Sequence, residues 1–140
     1  MNLRLFKIAL LLIITSKPLM ANTDYFKEGL NLYQKKKLEE AKFKFEQDIV
    51  FNPKSELSYL YLSKIFKKLN KKDLEEQNLN VVILLNPKNE EAIYNLAKLK
   101  LDSSDYEKSR KLNSRLKIIC TTFCNQSEKL KIEIENLSKK

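Results

Sequence analysis

A chain of 140 residues, 43% of them hydrophobic, is long enough for one core and short of two. With one Gly and three Pro it lacks the turn residues of an all-β fold; with no His, no Gly-rich phosphate loop and scattered carboxylates it offers no catalytic or metal-binding constellation, and no cofactor is expected. The formal charge is +9, but Glu and Asp are interspersed with the Lys, which argues for a solvated surface over a nucleic-acid site.

Residues 1–21 set Arg4 and Lys7 ahead of a short apolar run over 8–14, followed by a polar end through Pro18 to Ala21. That is the order of a secretory signal peptide, with cleavage expected after Ala21 although Leu19 is not the ideal small residue. The run is shorter than the roughly 20 residues that span a bilayer, so an inner-membrane anchor left uncleaved is the alternative. Cleavage removes Arg4, Lys7 and Lys17, leaving 24 basic and 18 acidic residues and a charge of +6 in the periplasm or beyond it.

Amphipathic stretches then follow in pairs. Helices are predicted over 23–35 and 38–51, over 56–69 and 73–85, and over 90–101 and 106–119. Ser55 and Asn89 are placed to cap the third and fifth of these, with Glu56, Glu90 and Glu91 suited to the positive helix ends. Between the pairs, Asn52-Pro53-Lys54 recurs as Asn86-Pro87-Lys88, a spacing of 34 residues. Small residues return at the same interval, at Gly29, Ser63 and Ala97, where one helix must approach its partner closely.

The pattern resembles the tetratricopeptide repeat, a 34-residue helical hairpin. Tyr25, Gly29, Leu32, Leu38, Ala41, Phe45 and Pro53 match its offsets in the first unit, with Glu28 in place of the usual Leu. Tyr59, Leu62, Ser63, Phe66, Leu79 and Pro87 match in the second, but Glu75 stands where the family packs a small Ala. A two-residue shift near Leu74 would repair that, so the second unit is expected to have a longer turn and a shorter second helix. Ile93, Leu96, Ala97, Tyr106, Ser109 and Leu116 match in the third, while Asn113 replaces the aromatic and Thr121 the Pro. The resemblance implies an all-α right-handed solenoid of three hairpins, over 22–55, 56–89 and 90–123, with a concave face lined by the first helix of each.

A capping helix is expected over 125–140, opened by Asn125 and Glu128 as a capping box, with Leu130, Ile134 and Leu137 on one face. Before it lie Cys120 and Cys124, the two cysteines of the chain. In an oxidising compartment a disulfide is the leading reading; a metal site would need more ligands, and a redox centre more often has two intervening residues.

The resemblance also implies which residues face a partner, a protein or peptide held in the groove: Phe26, Leu30 and Tyr33, then Leu57, Leu60, Lys64 and Lys67, then Glu91, Tyr94, Lys98 and Leu101. Some family members clamp a terminal carboxylate with Lys and Asn, but Phe26 and Leu30 stand at the first-unit clamp positions. Apolar side chains of a partner are expected on Phe26, Leu30, Tyr33 and Tyr94, and acidic groups near Lys64, Lys67 and Lys98. The expected function is a periplasmic adaptor. A binder of polyanions or anionic membranes, and an accessory subunit of an envelope maturation or secretion complex, are the alternatives.

Overall fold

A computed structural model describes residues 24–139. The segment read as an export signal, residues 1–21, lies outside the described residues. Seven helices follow in order: α1 Tyr25–Gln34, α2 Leu38–Phe51, α3 Glu56–Lys68, α4 Lys72–Leu85, α5 Glu90–Asp102, α6 Tyr106–Ile119 and α7 Cys124–Leu137. None of them is long and apolar enough to cross a membrane.

Their starts follow from local chemistry. Asp24, Asn89 and Asp105 cap α1, α5 and α6 by accepting the backbone N–H three residues on, at 2.9, 2.7 and 3.1 Å. Ser55 does not cap α3 as the sequence suggests. Its hydroxyl donates to Ser58 Oγ (3.0 Å), which donates to Asp48 Oδ2 (2.5 Å), so this serine pair ties α3 back to α2 instead.

Each hairpin turns through three residues, and the middle one is left-handed: Lys36 at φ 60°, Asn70 at 55° and Ser104 at 60°. That conformation lets the next N–H reach back to the helix it leaves, from Lys37 to Leu32 O (3.0 Å), Lys71 to Phe66 O (2.9 Å) and Asp105 to Lys100 O (2.9 Å). The three turns are therefore one device repeated.

The second unit keeps the same register, which corrects the expected shift. Helix α4 has 14 residues, as α2 and α6 have, and its turn is no longer than theirs. Glu75 occupies the position of Ala41 and Ser109 and is buried like them, at 4% exposure, while Leu74 stays on the surface. The shift fails because it would push Leu79 and Val82, both fully buried, out of the core.

Within hairpins the small residues sit at the crossings. Gly29 faces the Phe45 ring, and Ala97 lets Ser109 Oγ reach its carbonyl at 2.8 Å. Ser63 satisfies its own hydroxyl on Leu60 O at 2.7 Å. Between hairpins, each buried cluster draws on two neighbours: Ala41 and Phe45 with Leu62, Ile65 and Phe66; Leu60, Leu79 and Val82 with Ala92, Leu96 and Leu99; Ala97 and Leu101 with Leu130 and Ile134 of α7. The units thus complete one another's cores, as stacked repeats must.

Helix α7 begins 34 residues after α5, where the first helix of a fourth unit would begin. Asn125 does not cap it; the residue ahead of the helix is Phe123, which makes no side-chain cap. The turn that leads into α7 is held instead from α5. Glu90 accepts the backbone N–H groups of Thr121 (2.8 Å), Thr122 (2.9 Å) and Phe123 (2.8 Å) and the Thr121 hydroxyl (2.7 Å). Glu56, 34 residues earlier, grips its own inter-unit turn through Asn86 (3.0 Å) and Asn89 (2.5 Å). The Sγ atoms of Cys120 and Cys124 lie at disulfide distance, with Cα atoms 5.3 Å apart, around the turn that Glu90 holds.

Candidate functional site

The first helices of the three units converge on a groove of about 370 Å³ lined by Tyr33 of α1, Ser63, Lys64, Lys67 and Lys68 of α3, and Glu91 and Asn95 of α5; α4 adds Glu75. A second hollow of about 460 Å³ is larger, but its lining lies on and just before α6, so no side chains converge on it from separate helices.

Aromatic rings wall the groove at its first-unit end. Tyr61 stacks on Phe45 (5.2 Å between centroids) and takes Tyr33 (5.1 Å) and Phe26 (6.0 Å) edge-on. Lys64 lies 4.8 Å above the Tyr61 ring and pairs with Glu91 at 2.8 Å, and Lys68 lies 5.6 Å above the Tyr33 ring. Among the described residues, Lys67 and Lys68 are in no ion pair, so their ammonium groups face the groove without a partner. Burial pushes the Tyr33 hydroxyl above its usual range against the pull of Lys64.

Glu75 stands apart. Burial raises its carboxyl above the ordinary carboxylate range, with Lys67 opposing, and no hydrogen bond or ion pair satisfies it among the described residues. It comes from a helix of the outer layer, at the position where a small residue closes the crossing in the other two hairpins.

Of the residues chosen from sequence, Tyr33, Lys64, Lys67 and Glu91 line the groove together. Phe26 is half-buried against Phe45 and Tyr61 and braces the wall. Leu30 is half-buried and Leu57 is 50% exposed; both are surface positions outside the lining. Leu60 and Leu101 are corrections: each is 4% exposed, Leu60 covered by the third unit and Leu101 by α7, and neither presents a surface to a ligand. Tyr94 packs against Phe123 at 5.6 Å, and Lys98 is paired with Glu133 of α7 at 2.6 Å, with its ammonium held above the ordinary range by that carboxylate against its burial. Helix α7 therefore takes up the third-unit end that the sequence assigned to a partner.

Four lining residues escape the sequence reading: Ser63, Lys68, Glu75 and Asn95. Lys68 and Asn95 each directly follow an assigned position, Lys67 and Tyr94, and a wider arc of the helix would have included them. Glu75 carries a signal, a charged residue at a small-residue position, which points to the site rather than to a slipped register.

No family model matches the sequence, and no curated protein does. Solved structures do share the architecture. The TPR2B domain of yeast Sti1, solved as a complex with pHsp70, is similar at TM-score 0.75 and 13% identity over 81% of this chain and 95% of that one. The Yersinia enterocolitica type III secretion chaperone SycD, in complex with a peptide of the translocator YopD, is similar at 0.73 and 16% over 83% and 92%. The first TPR of Spaghetti (RPAP3), bound to the HSP90 peptide SRMEEVD, is similar at 0.72 and 15% over 81% and 90%. Residues 24–139 thus have the tetratricopeptide-repeat fold, three hairpins and a closing helix.

Proposed function

We propose that this chain is a non-enzymatic scaffold that holds a peptide segment of another protein in the groove between α1, α3 and α5, acting in the periplasm. The observation that carries the reading is the groove itself: Lys67 and Lys68 in no ion pair, Lys68 above the Tyr33 ring, on a fold whose solved relatives are seen holding peptides. Cations next to aromatic faces suit an acidic segment with apolar flanks. The export-type residues 1–21 and the close pair Cys120 and Cys124 support a place outside the cytoplasm. Crosslinking in whole cells and recovery through a C-terminal tag should yield a partner that Lys67→Ala with Tyr33→Ala no longer retains; recovery of an undiminished partner would count against the groove.

A second reading, contact with an anionic membrane surface, is favoured by Val50, Leu84 and Ile118. They recur at 34-residue intervals near the ends of α2, α4 and α6 and are 73, 79 and 84% exposed, with Lys54 and Lys88 following the first two. Failure of the chain to float with phosphatidylglycerol vesicles at low ionic strength would remove it.

A further inference from the structure

The inference concerns Glu75 and rests on the scaffold reading above. Alanine in its place, as in α2, would close the helix crossing without burying a charge, so packing alone does not account for a carboxylate there. Its length carries the acid through the crossing into the groove, where it is 4% exposed and lacks any partner among the described residues. Its carboxylate oxygens touch the water of the groove, so a ligand that displaces that water must donate in its place or leave the acceptor open. Glu75 is part of the groove's lining, within reach of whatever the groove holds.

The surroundings decide what kind of donor fits. Lys64 and Lys67 flank Glu75 from α3, Lys72 lies on its own helix, and Asp102 of α5 adds a further negative charge nearby. The lining holds three lysines against two carboxylates, one net positive charge. A ligand ammonium would add a further cation among those lysines. One ligand carboxylate balances the lining by reaching Lys67 and Lys68, whose charges are not matched by Glu91. That leaves Glu75 for a group that donates without charge.

We propose that Glu75 determines specificity by accepting a hydrogen bond from a side-chain amide or hydroxyl adjacent to the acidic residue that Lys67 and Lys68 hold. The preferred segment is therefore an acidic residue next to Asn, Gln, Ser or Thr. An acidic residue next to Ala leaves Glu75 open, and one next to Lys meets repulsion. The selection acts through a missing donor, which discriminates more strongly than a missing methyl group.

The test uses three end-blocked peptides, Ala-Asn-Glu-Ala-Tyr, Ala-Ala-Glu-Ala-Tyr and Ala-Lys-Glu-Ala-Tyr, titrated into the 15N-labelled full chain and followed by amide shifts of α3 and α5. The Asn peptide should bind about tenfold more tightly than the Ala peptide, equivalent to about 1.4 kcal/mol, and the Lys peptide most weakly. Glu75→Ala should bind the Asn and Ala peptides equally, and melting curves establish that it folds. Glu75→Gln, nearly the same shape, should keep part of the preference because its amide oxygen still accepts. Equal binding of Asn and Ala peptides by the unaltered protein, an Asn preference that survives Glu75→Ala, or preference for the Lys peptide would each overturn the proposal. Failure of all three peptides while the crosslinked partner still depends on Lys67 would overturn it and spare the scaffold; loss of both would sink the two together.

Discussion

The ring of Phe45 occupies the space where Gly29 has no side chain: a Cβ on Gly29 would lie 2.8 Å from Phe45 Cε1 and 2.9 Å from Cδ1. The ring has nowhere to retreat. Phe45 is fully buried, with Tyr61 stacked on one side at 5.2 Å and Phe26 at 5.8 Å.

Gly29→Ala should therefore destabilise the chain, although Ala favours a helix over Gly by about 1 kcal/mol. Overpacking of a closed core costs about 1–3 kcal/mol and wins. Urea denaturation followed by far-UV circular dichroism measures it. An unchanged or higher midpoint would show that the α1 and α2 crossing has slack.

Glu75 makes stability depend on pH in a definite direction. Its carboxyl is raised in the folded chain above the ordinary 4.5, so folding favours the protonated form. That contribution is complete below the ordinary value and lost as pH rises through the folded one. Glu75→Gln should thus differ little from the unaltered chain in acid and gain on it toward neutrality, by a fraction of a kcal/mol because solvent in the groove screens the charge. Melting temperatures of the two proteins between pH 4 and pH 8 should diverge as pH rises; parallel curves would show that the burial carries no charge penalty.

Glu90 runs the other way. The Thr121 hydroxyl, then the N–H groups of Phe123, Thr122 and Thr121, hold its carboxyl at about 2 against an ordinary 4.5. Its contribution is present above 4.5 and lost as pH falls toward about 2. Glu90→Gln should speed amide hydrogen exchange at Thr122 and Phe123 at pH 7 while leaving α1 to α3 protected. If exchange there does not change, the turn is held by Cys120 and Cys124 instead.

Opening the bond between those cysteines should cost about 2 kcal/mol in the chain-entropy account of a short loop. Because the bond and Glu90 brace the same four-residue turn, the losses should not add: Cys120→Ser with Cys124→Ser should cost more in a Glu90→Gln background than alone. Strict additivity in a double-mutant cycle would separate the two devices.

The left-handed turn residues offer a gain. Lys36 and Ser104 pay a steric cost at φ 60° that Gly escapes. Lys36→Gly and Ser104→Gly should each raise stability by about 0.5–1 kcal/mol, and Asn70→Gly by less, since Asn tolerates that conformation. Denaturant midpoints check the order; a larger gain at Asn70 than at Lys36 would contradict it.

The 34-residue interval made the helices legible because its markers are local: helices α2 and α6 run over the residues expected of them, and Asn89 caps where it should. Contacts across the interval were not legible. Glu90 holds residues 31 to 33 positions away, and nothing near Asn125 warns that the entry to α7 is fixed from there rather than by a capping box. Leu60 and Leu101 look inward by position in the repeat, yet each is covered by what stacks next, the third unit or α7. Glu75 was the costliest misreading. A charged residue at a packing position suggested slippage, because periodicity weighs polarity and does not see a side chain long enough to pass through a crossing.

Lys131 stands 34 residues beyond Ala97, in the line of Gly29 and Ser63, and is open to water. A helix laid on α7 in the way α6 lies on α5 would have to strip that ammonium of its hydration at the tightest point of contact. Unlike the first helices of the three units, α7 therefore offers no small residue on which a following helix could seat itself closely.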